Sequence, residues 1–172
     1  MDEIAKEFYS QYGLAMNYVH VLETGILELY AIKIYVNDNI TKKEYYEILS
    51  NPKKMTLGQI NNKLFKLNFL SEDIKQSLIT ANKYRIFLCH RFWWEREIEF
   101  DNHKSLVILH QEILMFINHF NYLMQFIDKE INQIRKNHNL RIEEEMGLTN
   151  FRERERYIKN LIINKKNETN GN

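Results

Sequence analysis

The stretch Leu106–Ile134, LVILHQEILMFINHFNYLMQFIDKEINQI, decides the fold class. Its apolar residues Leu106, Leu109, Ile113, Phe116, Phe120, Leu123, Ile127, Ile131 and Ile134 step by three and four. That spacing lines one side of a helix with about 3.6 residues per turn, and it does not fit the alternation of a strand. The helix is expected to begin after Asp101-Asn102 and to stop at Asn137-His138-Asn139.

A second stripe of the same kind runs from Ile4 to about Val36, through Phe8, Tyr12, Ala15, Val19, Leu22, Ile26 and Leu29. Gly13 and Gly25 lie inside it. Each costs about 1 kcal/mol against alanine, so each is expected to mark a close helix crossing or a bend. Between the two stripes the punctuation is local. Thr41 with Glu44 predicts a capping box on a short helix that ends before Ser50-Asn51-Pro52. Thr56 predicts the cap of another, from Leu57 to about Leu67. Ser71, followed by Glu72 and Asp73, opens a third principal helix that runs through Ile74, Leu78 and Ala81 toward Trp94.

Composition agrees. Five glycines and one proline in 172 residues are too few for the many tight turns of an all-β fold. Apolar residues at 44% supply a core and charged residues at 27% a surface. The expected fold is an all-α bundle over residues 1–140: two long antiparallel helices, a third principal helix and short bridging helices. Residues 141–172, a charged tail with Arg152-Glu153-Arg154-Glu155-Arg156, are expected to form at most one short helix.

The balance of charge and cysteine excludes several functions. A net charge of +1 creates no global field for nucleic acid, so any RNA contact must use a local patch or a groove between copies. A single cysteine, Cys89, allows neither an internal disulfide nor a multi-thiolate zinc site, and burial is expected to leave it inert. His103, His110, His119 and His138 have no acidic partner at metal-ligand spacing. No run of about 18 apolar residues is present, so no membrane span is expected. The charged start Met1-Asp2-Glu3-Ile4-Ala5-Lys6 lacks the apolar core of a signal peptide, and the cytoplasm is the expected location.

The segment that concentrates chemistry is Asn82-Lys83-Tyr84-Arg85-Ile86-Phe87-Leu88-Cys89-His90-Arg91-Phe92-Trp93-Trp94. Arg85 carries a permanent, planar cation suited to phosphate. His90 exchanges a proton near neutral pH. Together they form a minimal set for cleaving RNA without a metal. The histidine activates the 2′-hydroxyl or protonates the leaving oxygen, and the arginine holds the charge that develops on phosphorus. On a straight helix, however, residues five apart diverge by about 140°. The pair converges only if Arg85 reaches across a groove, if the helix distorts near Cys89, or if both face a cleft shared with a second copy. Glu23, inside an apolar stripe, is expected to pair with Arg85, to orient His90 or simply to fix helix packing. His20 and Thr24 are weaker instances of the same kind. Asn82, one turn before Arg85, is a candidate phosphate donor but is expected to be solvated, and Arg91 is a further candidate RNA contact. Trp93 and Trp94 are expected in the core or at an interface between copies, with base stacking as the alternative.

An arginine, four residues and then a histidine, late in a helix of a small bundle, resembles the HEPN superfamily. Leu22-Glu23, Thr56-Leu57-Gly58 and His90-Arg91-Phe92-Trp93-Trp94-Glu95-Arg96 are similar to one group of small bacterial HEPN-like proteins. The likeness covers roughly residues 8–135 and is diffuse outside the motif. It implies a bundle that pairs into a homodimer, with two Arg–His motifs lining the cleft between copies. It also implies a ribonuclease needing no cofactor, in toxin–antitoxin, phage-defence or RNA-processing systems. RNA and an antitoxin or other protein are then the expected partners, His90 the general acid–base group and Arg85 the phosphate clamp. Two positions depart from the pattern. Ile86 stands where active members often carry Asn, Asp or His. Phe92 stands where some toxin members carry a tyrosine that a partner nucleotidyltransferase modifies. The alternative expectations are a non-catalytic HEPN-like module binding RNA or a protein partner, and a structural helical scaffold.

Overall fold

The structure, a computed structural model, describes residues 3–37, 39–50, 55–101 and 103–140. Its elements are α1 (Glu3–Val36), α2 (Lys42–Ser50), α3 (Leu57–Phe65), α4 (Glu72–Ile86), a π-helical turn (Phe87–Arg91), α5 (Phe92–Glu95), a 3-10 turn (Glu97–Asp101) and α6 (His103–Asn137). The fold is all-α. Contacts divide the chain into Met1–Ile134 and Arg135–Asn172. Of the second unit, only the end of α6 and its cap are described; the charged tail, 141–172, lies outside the described residues.

The short elements begin where local chemistry starts them. The Thr41 amide donates to Glu44 Oε2 at 2.7 Å, and the Glu44 amide donates back to the Thr41 hydroxyl at 3.3 Å. Thr56 makes the same reciprocal box with Gln59, and the Ser71 hydroxyl accepts from the Ile74 amide. Each box satisfies amides that the first helical turn leaves without partners. Asn139 ends α6 in the left-handed region (φ 49°), and the Leu140 amide reaches back to the Arg135 carbonyl at 2.9 Å. Asparagine tolerates that conformation better than most side chains.

Both long stripes turn their faces into the core as their periodicity predicts, with Ile4 and Tyr12 of the first only half-buried. All nine apolar positions read from Leu106 to Ile134 lie in the core, as do Phe8, Ala15, Val19, Leu22, Ile26 and Leu29 of α1. The direction of the long helices differs from expectation. His110 stands 4.0 Å from Glu7, and a Cβ on Gly25 would meet Ile127 at 3.3 Å. Contacts therefore advance together along both chains, and α1 and α6 run parallel. The antiparallel partner of each is α4. Together with the π-helical turn that continues it, α4 meets α1 at Glu23–Arg85 and Tyr12–Leu88, and α6 at Ser77–His119 and Phe87–Phe116. Periodicity identifies the buried face of a helix and carries no information on its direction. The second half of the chain must return along α4 before α6 begins, so three passes leave the first and last parallel. Gly25 does permit a close crossing, whereas Gly13 faces open space. Among the described residues, no helix is long and apolar enough to cross a membrane.

Candidate functional site

The helix that carries the Arg–His motif does not stay regular. At Phe87–Arg91 it widens into a π-helical turn, in which the Phe92 amide reaches five residues back to the Phe87 carbonyl. In an α-helix that amide would bond the Leu88 carbonyl. The Leu88 carbonyl instead accepts the Tyr12 hydroxyl at 2.8 Å, and the Tyr12 oxygen accepts the Trp93 indole N–H at 3.1 Å. A carbonyl released inside the bundle is thus satisfied from α1. Side chains five apart now meet: the Phe87 and Phe92 rings lie 5.6 Å apart. Such turns are often found at functional sites.

The turn begins two residues after Arg85 and includes His90, so the two diverge by less than the roughly 140° of a straight helix. Arg85 is half-buried and donates through Nε to Glu23 Oε1 at 3.0 Å. Among the described residues, its terminal nitrogens have no protein acceptor, so two arms of its fork remain available. His90 is exposed and makes no hydrogen bond or ion pair with the described residues. It stands beside Arg85 on the same run of helix without sharing a contact with it.

Arg85 opens onto a cleft of about 390 Å³ between α1, α3 and α4. Its walls are His20, Glu23 and Thr24 of α1, Met55, Thr56 and Ile60 around the start of α3, and Arg85 itself. The cleft takes in Arg85 and Glu23 and leaves out His90. The imidazole that lines the cleft with the arginine is that of His20, an exposed side chain to which the sequence reading assigned a minor place. Its sequence signal was its position three residues before Glu23, which puts the two on one helix face.

The other candidates separate. Asn82 is half-buried, and its Nδ2 sits 3.4 Å from where a Gly58 Cβ would stand. It packs in the α3–α4 seam, so the expectation of a solvated side chain is corrected. Arg91 is exposed and bonds Glu95 through Nε at 2.6 Å, an ion pair one turn along its own helix. Trp93 stacks on Tyr9 and Phe100 in an aromatic cluster with Phe8 and Phe92. Trp94 is 83% exposed, which removes the core from the places expected for it and leaves an interface between copies or base stacking. Phe92 is fully buried, packed against Phe8 and Tyr12.

Electrostatics around the turn follow burial. Cys89 is half-buried, and desolvation pushes its thiol up, partly offset by the Arg85 cation and reinforced by Glu23. The thiol stays protonated near neutral pH and is a poor nucleophile. Burial likewise raises the Tyr12 phenol, against the lowering effect of the Trp93 hydrogen bond. Among the described residues, no three His, Cys, Asp or Glu side chains stand close enough to hold a metal ion. Compared with known proteins, the chain matches no family model, no curated protein and no solved structure.

Proposed function

We propose that this chain is a metal-independent endoribonuclease of the HEPN type, serving phage defence or a toxin–antitoxin system. It acts as a cytoplasmic homodimer in which Arg85 and His90 work at the cleft between copies. His90 takes the proton of the 2′-hydroxyl or returns one to the leaving 5′-oxygen. Arg85 neutralises charge on the phosphorane oxygens. The observation that carries the reading is the π-helical turn that begins two residues after Arg85 and includes His90. Its wider pitch lowers the angle between the two groups below that of a straight helix, and the Glu23 carboxylate holds the arginine while leaving its terminal nitrogens open. Pairing of copies is supported by apolar side chains exposed on either side of His90, namely Ile86 and Trp94.

The test is cleavage of total cellular RNA by the purified protein in EDTA, with His90→Ala alongside. The wild type is expected to cut. The variant, folded by circular dichroism, is expected to lose at least about 100-fold of the rate. A wild type that cuts no RNA across a range of salt sinks the reading.

A second reading, a non-catalytic module that binds RNA or a protein partner, is favoured by Ile86. It is 40% exposed beside Arg85 and offers no polar group to a substrate. Salt-dependent RNA binding without cleavage would establish it.

A further inference from the structure

We infer that the cleft beside Arg85 is a subsite for one nucleotide, in which the terminal nitrogens of Arg85 and the His20 imidazole take the phosphate while Met55 and Ile60 pack against the nucleoside. This deepens the ribonuclease reading and rests on it for the role of the site, though not for the binding itself.

The volume of about 390 Å³ falls in the range of small-molecule sites and exceeds what a bare phosphate fills. The wall is mixed in the way an attached nucleoside requires. Arg85, Glu23, His20, Thr24 and Thr56 are its polar lining, and Met55 and Ile60 its apolar lining. Glu23 engages only the Nε edge of the guanidinium. It aligns the fork, and the two terminal nitrogens are left for a second, charge-assisted acceptor. Because Glu23 balances the Arg85 charge, the cleft by itself is close to neutral. His20 is the one further ring-nitrogen group in the lining that can bond a phosphate beside the arginine fork, and this makes it the specificity-determining residue. The charged and titratable groups facing His20 are Glu23 on its own helix and Arg85 across the cleft, with Glu28 and Asp128 lining the groove on its far side. The same phosphate chemistry belongs to a free nucleotide and to a nucleotide within an RNA strand beside the cleaved bond.

Two probes separate these sources on the full-length protein: adenosine 5′-monophosphate by titration calorimetry, and a 2′-O-methyl hexaribonucleotide, which resists cleavage, by fluorescence anisotropy. Wild-type protein is expected to bind at least one of them saturably. His20→Gln keeps the approximate size and a hydrogen-bonding group but loses the imidazole, and is expected to weaken that binding about tenfold. Met55→Glu puts a carboxylate into the cleft and is expected to abolish it. Sensitivity of the hexamer assigns the cleft to an RNA strand, and sensitivity of the mononucleotide alone assigns it to a free nucleotide. If neither probe binds, or if both variants hold wild-type affinity with unchanged melting temperature, the subsite is overturned. RNA cleavage that depends on His90 would survive that result. Conversely, His20-dependent binding in a protein that cuts no RNA keeps the subsite and removes the ribonuclease reading.

Discussion

Two arginine–carboxylate pairs tie the middle of the chain to the long helices, and they are built differently. Arg96, just after α5, reaches Glu112 of α6 through Nε at 3.1 Å and through a terminal nitrogen at 2.7 Å. Glu99 adds a second carboxylate nearby, and the Phe87 ring lies under the guanidinium. Arg85 meets Glu23 of α1 through Nε alone. The two pairs are about equally exposed, at 29% and 23% against 25% and 28%, so burial does not explain the difference. Arg96 spends its fork on the fold, and the Glu112 hydrogen bonds hold its proton more firmly than that of a free arginine. Arg85 keeps part of its fork in reserve beside an open cleft. A doubly bonded, ring-backed arginine is a fastener. A singly bonded one facing a cavity is suited to a ligand.

The strongest way to break this contrast is at Arg85. Arg85→Gln is expected to lower RNA cleavage by about 100-fold or more, since it removes the cation facing the developing phosphorane. Folding free energy should fall by less than about 1 kcal/mol, because a partly solvated single-bond pair contributes little. A variant that loses stability and keeps its cleavage rate would make Arg85 a fastener too. Arg96→Gln is expected to do the reverse. It leaves Glu112 without its paired bonds and should cost about 2 kcal/mol, roughly 4–8 °C in melting temperature, with cleavage per folded molecule unchanged.

Glu23→Gln sharpens the contrast at a smaller scale. The neutral amide still accepts from Arg85 Nε, so stability should change by about 0.5 kcal/mol or less in thermal unfolding. The cleft becomes more positive, and RNA should bind more tightly at low salt with a steeper salt dependence. The smallest effect is on Cys89. Its raised pKa keeps the thiolate scarce, so alkylation by iodoacetamide at pH 8 should be several-fold slower than in urea. Arg85→Gln should slow it further, because the arginine is the group that pulls that pKa down. Faster alkylation in the variant would mean that Arg85 does not act on the thiol.

Much of the fold was legible before any coordinates. The stripe from Leu106 to Ile134 and the one from Phe8 to Leu29 are the core. Thr41, Thr56 and Ser71 cap the helices they were expected to cap. These are short-range facts: a cap acts within three residues, and a buried face follows from helical pitch. The pairing of Glu23 with Arg85 was one of three roles open to Glu23. Choosing among them required knowing which turn of α1 lies against which turn of α4.

The sequence by itself determined which segments are helical, which faces are apolar and where α1, α2, α3, α4 and α6 begin, because all of these are settled by neighbours one or two turns away. Tertiary structure alone decided that α1 and α6 run parallel, that His20 and not His90 shares a cleft with Arg85, and that the helix widens at Phe87–Arg91. The last has a long-range cause. The Leu88 carbonyl can leave its helical partner only because the Tyr12 hydroxyl, 76 residues earlier in the chain, is there to receive it. No local pattern encodes that bond, and the relation between Arg85 and His90 depends on it.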